Sequence, residues 1–325
     1  MTSTSDQPTQ QEVAQPPVTV IDEEQWRHRE ELHQRRVDEV TREHRHRRAE
    51  GRSHPVEDFL FTYYSFPPGR LRRWHCGPGV VLLGQRAQQR AAWRWYRAAA
   101  APVAGGGRGA GAALDVEAFL AERGATVDFV MGLLAATDAR PAHLGCFGLH
   151  EWAMVYRCSA DQLRHSGLPL RLGRAGTDAV VESHSIRCSH YDAYRFFTAA
   201  ARPRNRLAPT RADQVANEQP GCLHANMDLY KWAYKLSPAI PSELVVDCFE
   251  LARDVRVLDM RASPYDLSEY GYSPVPIETS AGKADYIAQQ REFAERAGVL
   301  RRRLLHQCRL LLAHGGVAPG EAGQR

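Results

Sequence analysis

The chain has 325 residues, of which 43% are hydrophobic, so it can bury a sizeable core as one large domain or two modest ones. No apolar stretch reaches the ~18 residues that a membrane-spanning helix needs, and the polar N-terminus lacks the apolar segment of a signal peptide. The net charge of +4 permits nucleic-acid binding without requiring it. We therefore expect a cytoplasmic protein with no membrane partner.

Composition divides the chain into four segments. Residues 1–20 are rich in Ser, Thr, Gln and Pro and predict a disordered tail, as do residues 316–325. Residues 21–52 predict a charged helical arm whose basic C-terminal run is either a solvated helix face or a set of phosphate contacts. Residues 53–315 predict one mostly α-helical domain with minor short strands. Seven cysteines without a Cys-x-x-Cys pair predict reduced thiols, mostly in the core.

Hydrophobic periodicity predicts the main elements of this domain. Helices are expected near residues 190–201, 220–236, 241–261 and 283–313. Residues 180–188 alternate as a short strand would. The Gly/Ala-rich segment 99–113 predicts a flexible loop, and it is not a phosphate-binding loop because no Gly-Lys-Ser/Thr sequence closes it.

The predicted helix 220–236 is apolar over most of its circumference. The exception is a narrow polar stripe of His224, Asp228, Lys231 and Lys235, spaced i, i+4, i+7 and i+11. Charged groups on a buried helix must be paired, bind a ligand or line a cavity. The stripe therefore either faces water with an Asp228–Lys231 ion pair or borders an internal cleft.

The predicted helix 241–261 places Asp247, Glu250 and Asp254 on one stripe, spaced i, i+3 and i+7. Three carboxylates in this arrangement are able to bind a metal ion. They are equally able to form ion pairs with arginines of the same helix or of a neighbouring one.

A third helix is predicted within residues 145–156, which contain His150, Glu151 and Trp152. A glutamate in apolar surroundings beside a tryptophan would have a raised pKa, as a general acid or base needs. The alternative is that Glu151 forms an ion pair with a nearby arginine.

Farther along the chain, Ser189 and Asp192 have the spacing of a helix capping box, which favours a structural role for Asp192. His184 and His190 flank this pattern and form a weak metal signal.

The loop 261–272 contains Arg261, Tyr265, Tyr270 and Tyr272. Exposed tyrosines near arginines stack on planar groups such as nucleobases. The alternative is that these tyrosines pin the loop to the core.

Four stretches have long and unusual sequences: residues 54–65 (HPVEDFLFTYYS), 145–156 (GCFGLHEWAMVY), 218–235 (EQPGCLHANMDLYKWAYK) and 259–267 (DMRASPYDL). In these stretches the chain resembles a group of actinobacterial proteins labelled 3-methyladenine DNA glycosylase. The resemblance implies an enzyme of base-excision repair that removes an alkylated purine from DNA. The sequence shows neither a helix-hairpin-helix loop nor HEAT-type repeats, so no catalytic residue is carried over from that group.

The first functional hypothesis is therefore a DNA glycosylase, without metal or cofactor, whose partner is DNA with an alkylated base. Such an enzyme flips the base, stacks it on aromatic rings and supplies a carboxylate to the reacting sugar or water. The candidate catalytic carboxylates are Asp228, Glu151 and Glu218. The candidate substrate-binding residues are His150, Trp152, His224, Asn226, Lys231, Arg261, Tyr265 and Tyr272.

The alternative is a metal-dependent all-helical enzyme, such as a non-haem iron oxygenase, that binds iron or another divalent metal through a His/Asp/Glu cluster. The candidate ligands are His150, His190, His224, Asp228, Asp247 and Glu250. A third, non-enzymatic hypothesis is a DNA-associated binding protein.

Overall fold

A computed structural model describes residues 17–159 and 167–316. These residues form a mostly α-helical fold with one small sheet, which confirms the predicted fold class. The α-helices of the described ranges are α1 (Glu23–Val40), α2 (Arg42–Ala49), α3 (Phe59–Tyr63), α4 (Pro68–Leu71), α5 (Gln85–Arg90), α6 (Val116–Asp138), α7 (Leu149–Ala153), α8 (Gly173–Ser183), α9 (Tyr191–Tyr194), α10 (Gln214–Asn217), α11 (Leu223–Lys235), α12 (Ser242–Arg261) and α13 (Ser280–His314). The strands are β1 (Thr19–Ile21), β2 (Val80–Leu83), β3 (Tyr96–Pro102) and β4 (Arg108–Leu114).

The predicted tails fall almost wholly outside the described residues. Within them, residues 19 and 20 belong to β1, so the N-terminal tail prediction extended too far. None of the described helices is long and apolar enough to cross a membrane. All seven cysteines are free thiols, and five of them are buried, which confirms the prediction of reduced core residues.

The centre of the helical core is α11, which packs against α12 and α13, while α6 also packs on α13. Ten of the thirteen residues of α11 are buried, so the middle of its polar stripe lies inside the protein and not against water. The helix begins at Leu223 rather than at Pro220, because Pro220 and Gly221 form a turn. The Gln219 side chain fixes this turn by accepting hydrogen bonds from the backbone N–H groups of Gly221 and His143.

The prediction of a flexible loop at 99–113 is wrong, because this segment forms most of a β-hairpin. β3 and β4 pair antiparallel, and β4 also pairs antiparallel with β2, giving the strand order β1-β2-β4-β3. The small residues are what permit this packing: a Cβ at Gly111 would lie 1.8 Å from the Leu82 carbonyl oxygen. Low side-chain volume here allows strands to approach closely.

The predicted charged arm is two helices that lie against the body of the protein. Thr41 separates them, and its hydroxyl donates to the Val37 carbonyl at 2.7 Å. Trp26, which is 2% exposed, packs into the core beside Trp74. The basic run of α2 is partly neutralised, since Arg47 forms ion pairs with the carboxylates of Glu57 and Asp58. The arm is therefore part of the fold, with the remaining basic residues on its solvated side.

Two further local predictions are wrong. The first part of the expected strand at 180–188 is instead the end of α8, where Thr177, Val180 and Val181 form a buried i, i+3, i+4 face, and beyond it only Ile186 forms an isolated β-bridge, with Asn205. The helix expected at 190–201 is reduced to the single turn of α9. No side chain caps α9, so the capping box at Ser189 does not form.

Candidate functional site

Nine polar side chains from separate parts of the chain meet inside the helical core. α7, α11 and α12 supply seven of them, and the segments before α9 and after α10 supply one each. We call this set the buried polar cluster, and its members are His150, Glu151, His190, Glu218, His224, Asp228, Lys231, Arg256 and Asp259. Eight of the nine are at most 7% exposed, and His224 is half-buried. Charged groups buried to this extent must be paired or bind a ligand.

One half of the cluster lies between α7 and α12. His150 Nε2 lies 2.8 Å from Asp259 Oδ1, and Arg256 Nη1 lies 3.1 Å from Asp259 Oδ2 and 3.3 Å from Glu151 Oε1. Arg256 and Asp259 are three residues apart and therefore share a face of α12. Burial opposes the charged form of His150, but Asp259 outweighs burial, so the pKa of His150 lies well above its ordinary value. The Arg256 contact confirms the expected ion pair of Glu151 with an arginine.

The other half of the cluster surrounds Asp228 on α11. The Tyr64 hydroxyl donates to Asp228 Oδ1 at 2.8 Å, and the Lys231 ammonium donates to Asp228 Oδ2. His190 Nε2 lies 3.2 Å from Asp228 Oδ2 and 3.5 Å from Glu218 Oε1. Burial raises the pKa of Glu218, whereas at Asp228 Lys231 and His190 outweigh burial and lower the pKa.

His224 connects the two halves. Its ring centroid lies 4.3 Å from that of His150 and 5.4 Å from that of His190. Its side chain makes no hydrogen bond with any described residue. Burial, and next the charge on His150, hold the pKa of His224 well below its ordinary value, so the ring is a neutral imidazole. A neutral imidazole with a free nitrogen is able to bind a metal ion or accept a proton.

The space around His224 is small. One cavity, lined in part by Glu151, His224 and Arg256, has a volume of about 10 Å³. Another, lined in part by Cys146, His150 and His224, also has a volume of about 10 Å³. A volume of roughly 10–15 Å³ holds about one water molecule. The cluster therefore has room for a single ion or water in this conformation, and not for a purine.

Two sets of donor atoms have the spacing of a metal site. Single donor atoms of His150, Glu151, His224 and Asp259 all lie within 4.8 Å of one another, as do those of a second set, His190, Glu218 and Asp228. With metal–ligand bonds of about 2.1 Å, small side-chain rotations would close either set around an ion. Each set also contacts a cationic side chain, since Arg256 Nη1 contacts Glu151 and Asp259 in the first set and the Lys231 ammonium hydrogen-bonds Asp228 Oδ2 in the second.

The structure brings most of the predicted catalytic and ligand residues together in the buried polar cluster, but it separates Asp247 and Glu250 from the histidines. Both carboxylates pair with Arg36 of α1, and Asp247 also pairs with Arg303 of α13. They lie on the opposite side of α12 from the cluster, and as surface ion pairs they are removed from the ligand set.

The other predicted substrate-binding residues also lie outside the cluster. Tyr265 is 2% exposed and cannot stack on a base, and the Tyr272 hydroxyl donates to Glu57, so these tyrosines pin their loop to the core. Arg261 donates to the Ser273 carbonyl, and the Trp152 indole N–H donates to the Ala262 carbonyl. Asn226 faces α13, where its side-chain oxygen accepts from Arg301.

Sequence reasoning missed Asp259 and misjudged Arg256, although both lie on a helix that it predicted. The carboxylate stripe at Asp247, Glu250 and Asp254 drew attention to the exposed side of α12. The available signal was the spacing of Arg256 and Asp259 between apolar residues such as Leu258, which places a pair of opposite charges on the buried face.

Comparison with known proteins adds no functional assignment. No family model, no curated protein and no solved structure matches this chain. The resemblance to glycosylase-labelled proteins therefore stays a prediction.

Proposed function

We propose that this protein is a metal-dependent enzyme, and that His150, Glu151, His224 and Asp259 hold the ion. The observation that carries the proposal is His224, a neutral imidazole inside the core that hydrogen-bonds no described residue and touches the ring of His150. An imidazole that makes no hydrogen bond and lies within 4.8 Å of three other donor atoms is suited to bind a metal ion.

The donor set points to the class of metal. Two imidazoles and two carboxylates suit iron, manganese or zinc, and binding would release the proton of His150 because a histidine ligand must be neutral. Histidine–carboxylate sets with an open position are typical of non-haem iron(II) enzymes. Arg256 contacts both carboxylates and so holds them beside the histidines. A cavity of about 10 Å³ next to His224 leaves room for about one water molecule.

The glycosylase hypothesis requires more space around the same residues. It requires a flipped purine to reach Glu151, Glu218 or Asp228, and base-flipping enzymes hold the whole base in a pocket. All three carboxylates are at most 5% exposed, and the cavities beside the cluster hold about one water each. The geometry therefore favours the metal-dependent enzyme.

The test is elemental analysis of the protein purified without chelators. We expect about one ion of iron, manganese or zinc per chain in the wild type, and a loss of metal affinity of at least ~10-fold in His224→Ala. Because His224 makes no hydrogen bond with the described residues, this variant leaves no partner unsatisfied among them, and its melting temperature without metal should stay close to that of the wild type.

The matched control is His44→Ala. His44 is a buried histidine on α2, away from the cluster, and its Nδ1 lies 2.9 Å from Asp58 Oδ1. The His44→Ala variant should keep its metal even if it is less stable than the wild type. A wild-type protein that neither carries nor takes up metal, while releasing 3-methyladenine from methylated DNA, would reject the proposal and support a glycosylase.

A further inference from the structure

One cavity lies away from the buried polar cluster and has no role in the proposed function. It is an open cleft of about 540 Å³, lined by residues within 65–75, by residues 93–95 before β3, by α6 and by the end of α11 with the turn after it. We call it the basic cleft, after the lining residues Arg70, Arg73, Arg123 and Lys235, which are accompanied by Trp93 and Trp95. Its volume lies in the roughly 300–1,000 Å³ range of small-ligand sites.

The described residues that line the basic cleft carry positive charge and include no carboxylate. Among the described residues, Arg70, Arg73, Arg123 and Lys235 form no ion pair, whereas Arg94 at the rim pairs with Glu122. Four cations without an ion pair that converge on one cavity favour an anionic ligand.

Aromatic rings form the other half of the lining. The Arg73 guanidinium lies 5.3 Å from the Trp93 ring centroid, and Arg94 and Arg123 lie 4.0 Å and 5.7 Å from the Trp95 ring centroid. These cation–aromatic pairs combine a phosphate-binding group with a flat surface. A ligand that combines a planar ring with phosphate groups would contact both the aromatic rings and the cations of the lining.

Two lining residues adopt strained backbone conformations. Ser65 has φ +54° and Trp95 has φ +60°, and they are two of the four non-glycine residues with positive φ in the described part of the chain. For a bulky residue such as tryptophan this conformation is costly, and such strain concentrates at ligand sites. Trp95 lines the cleft, and Arg94 and Arg123 approach its ring.

We propose that the basic cleft binds a free nucleotide, with the phosphates on the unpaired cations and the base against Trp93 or Trp95. A free nucleotide fits better than a nucleic acid, because the cations converge on one concave site and do not extend along a surface track. The other basic candidate, on α2, has its buried arginine committed to Glu57 and Asp58. The proposal does not depend on the metal centre.

The experiment is isothermal titration calorimetry of the full chain with ATP, inorganic tripolyphosphate and a twelve-nucleotide oligo-dT. We expect ATP to bind at least tenfold more tightly than tripolyphosphate, since only ATP offers a base. The double variant Arg70→Gln/Arg123→Gln should weaken ATP binding by at least tenfold. Arg206→Gln, which removes an exposed arginine outside the cleft, should leave ATP binding unchanged.

Three outcomes would overturn the proposal. The first is that ATP does not bind at all. The second is that tripolyphosphate binds as tightly as ATP, which would make the cleft a simple anion site. The third is that oligo-dT binds more tightly than ATP and loses affinity steeply with salt, which would identify a nucleic-acid site. Both arginines are solvent-accessible, so a melting curve should show the double variant to be folded.

Discussion

Asp228→Asn tests how the charges of the buried polar cluster are held. Asp228 is 2% exposed and accepts hydrogen bonds from Tyr64, His190 and Lys231. Asparagine keeps an oxygen for the Tyr64 hydroxyl but removes the negative charge beside the Lys231 ammonium. Loss of one partner from a buried ion pair costs about 3–5 kcal/mol. Lys231 retains Asp192 at 3.1 Å, so we expect the lower end, about 3 kcal/mol.

The assay is urea unfolding at pH 7. The unfolding free energies of the variant and the wild type are compared on condition that both show the same slope of free energy against urea concentration. Asp192→Asn is the matched control, because its side chain is 28% exposed, and it should cost about 1 kcal/mol or less. Adding Lys231→Met to Asp228→Asn should cost less than the two single changes summed, since neither charge is then left alone. If Asp228→Asn unfolds at the same urea concentration as the wild type, the ion pair does not stabilise the core and the reasoning is refuted.

Acid should weaken the same pair. Burial alone would raise the pKa of Asp228, but Lys231 and His190 outweigh it and lower the pKa. A carboxyl group with a lowered folded-state pKa stabilises the protein above its unfolded value of about 3.9 and loses that contribution as the pH falls further. The difference in unfolding free energy between wild type and Asp228→Asn should therefore shrink below about pH 4.

Three other predictions follow from the fold. Gly111→Ala should destabilise the hairpin by about 3 kcal/mol or more, because the new Cβ would lie 1.8 Å from the Leu82 carbonyl oxygen; Gly132→Ala, in an open position on α6, should be neutral or stabilising, and equal melting temperatures for the two variants would contradict the hairpin packing. Trp26→Ala should cost about 3–5 kcal/mol of unfolding free energy, since Trp26 is 2% exposed, and a loss near zero would make α1 a detached arm after all. Burial, and next Arg90, lower the pKa of His75 to about 3, so only the unfolded chain takes up this proton between pH 6.5 and 3. The free energy of unfolding should fall by roughly 1.4 kcal/mol per pH unit on acidification through this window, and a His75→Gln variant with the same slope would exclude His75 as the cause.

The sequence predicted α11 because two features of its residues, the apolar circumference and the charged groups, together indicate a buried helix with a polar site. Apolar side chains cover most of its circumference, so burial follows, and a buried helix cannot carry Asp228 and Lys231 unless they are paired or bind something. That reasoning located the buried polar cluster from one helix alone. It could not supply Tyr64 as a partner of Asp228 or Asp259 as a partner of His150, because those contacts join residues that are distant in the chain and have no local signature.

The sequence could not predict the hairpin or the basic cleft, for a related reason. Gly and Ala give neither the alternation nor the branched side chains that predict strands, so the close approach of Gly111 to Leu82 became visible only in three dimensions. The cleft gathers Arg70, Trp95 and Lys235 from three separate segments of the chain. None of these residues is unusual where it stands in the sequence, and only their shared cavity makes them a site.

α11 contributes residues to both the buried polar cluster and the basic cleft. Lys231 belongs to the cluster, and Lys235, one helical turn later, lines the cleft. Burial, and next the charge on Lys231, lower the pKa of Lys235, so the positive charge that Asp228 holds in the core also acts on a cation of the cleft. The Tyr234 hydroxyl donates to the Tyr64 carbonyl, and the Tyr64 hydroxyl donates to Asp228, which gives a second connection through hydrogen bonds. Metal content in the core and anion affinity in the cleft should therefore both be measured in a variant that lacks the charge of Lys231.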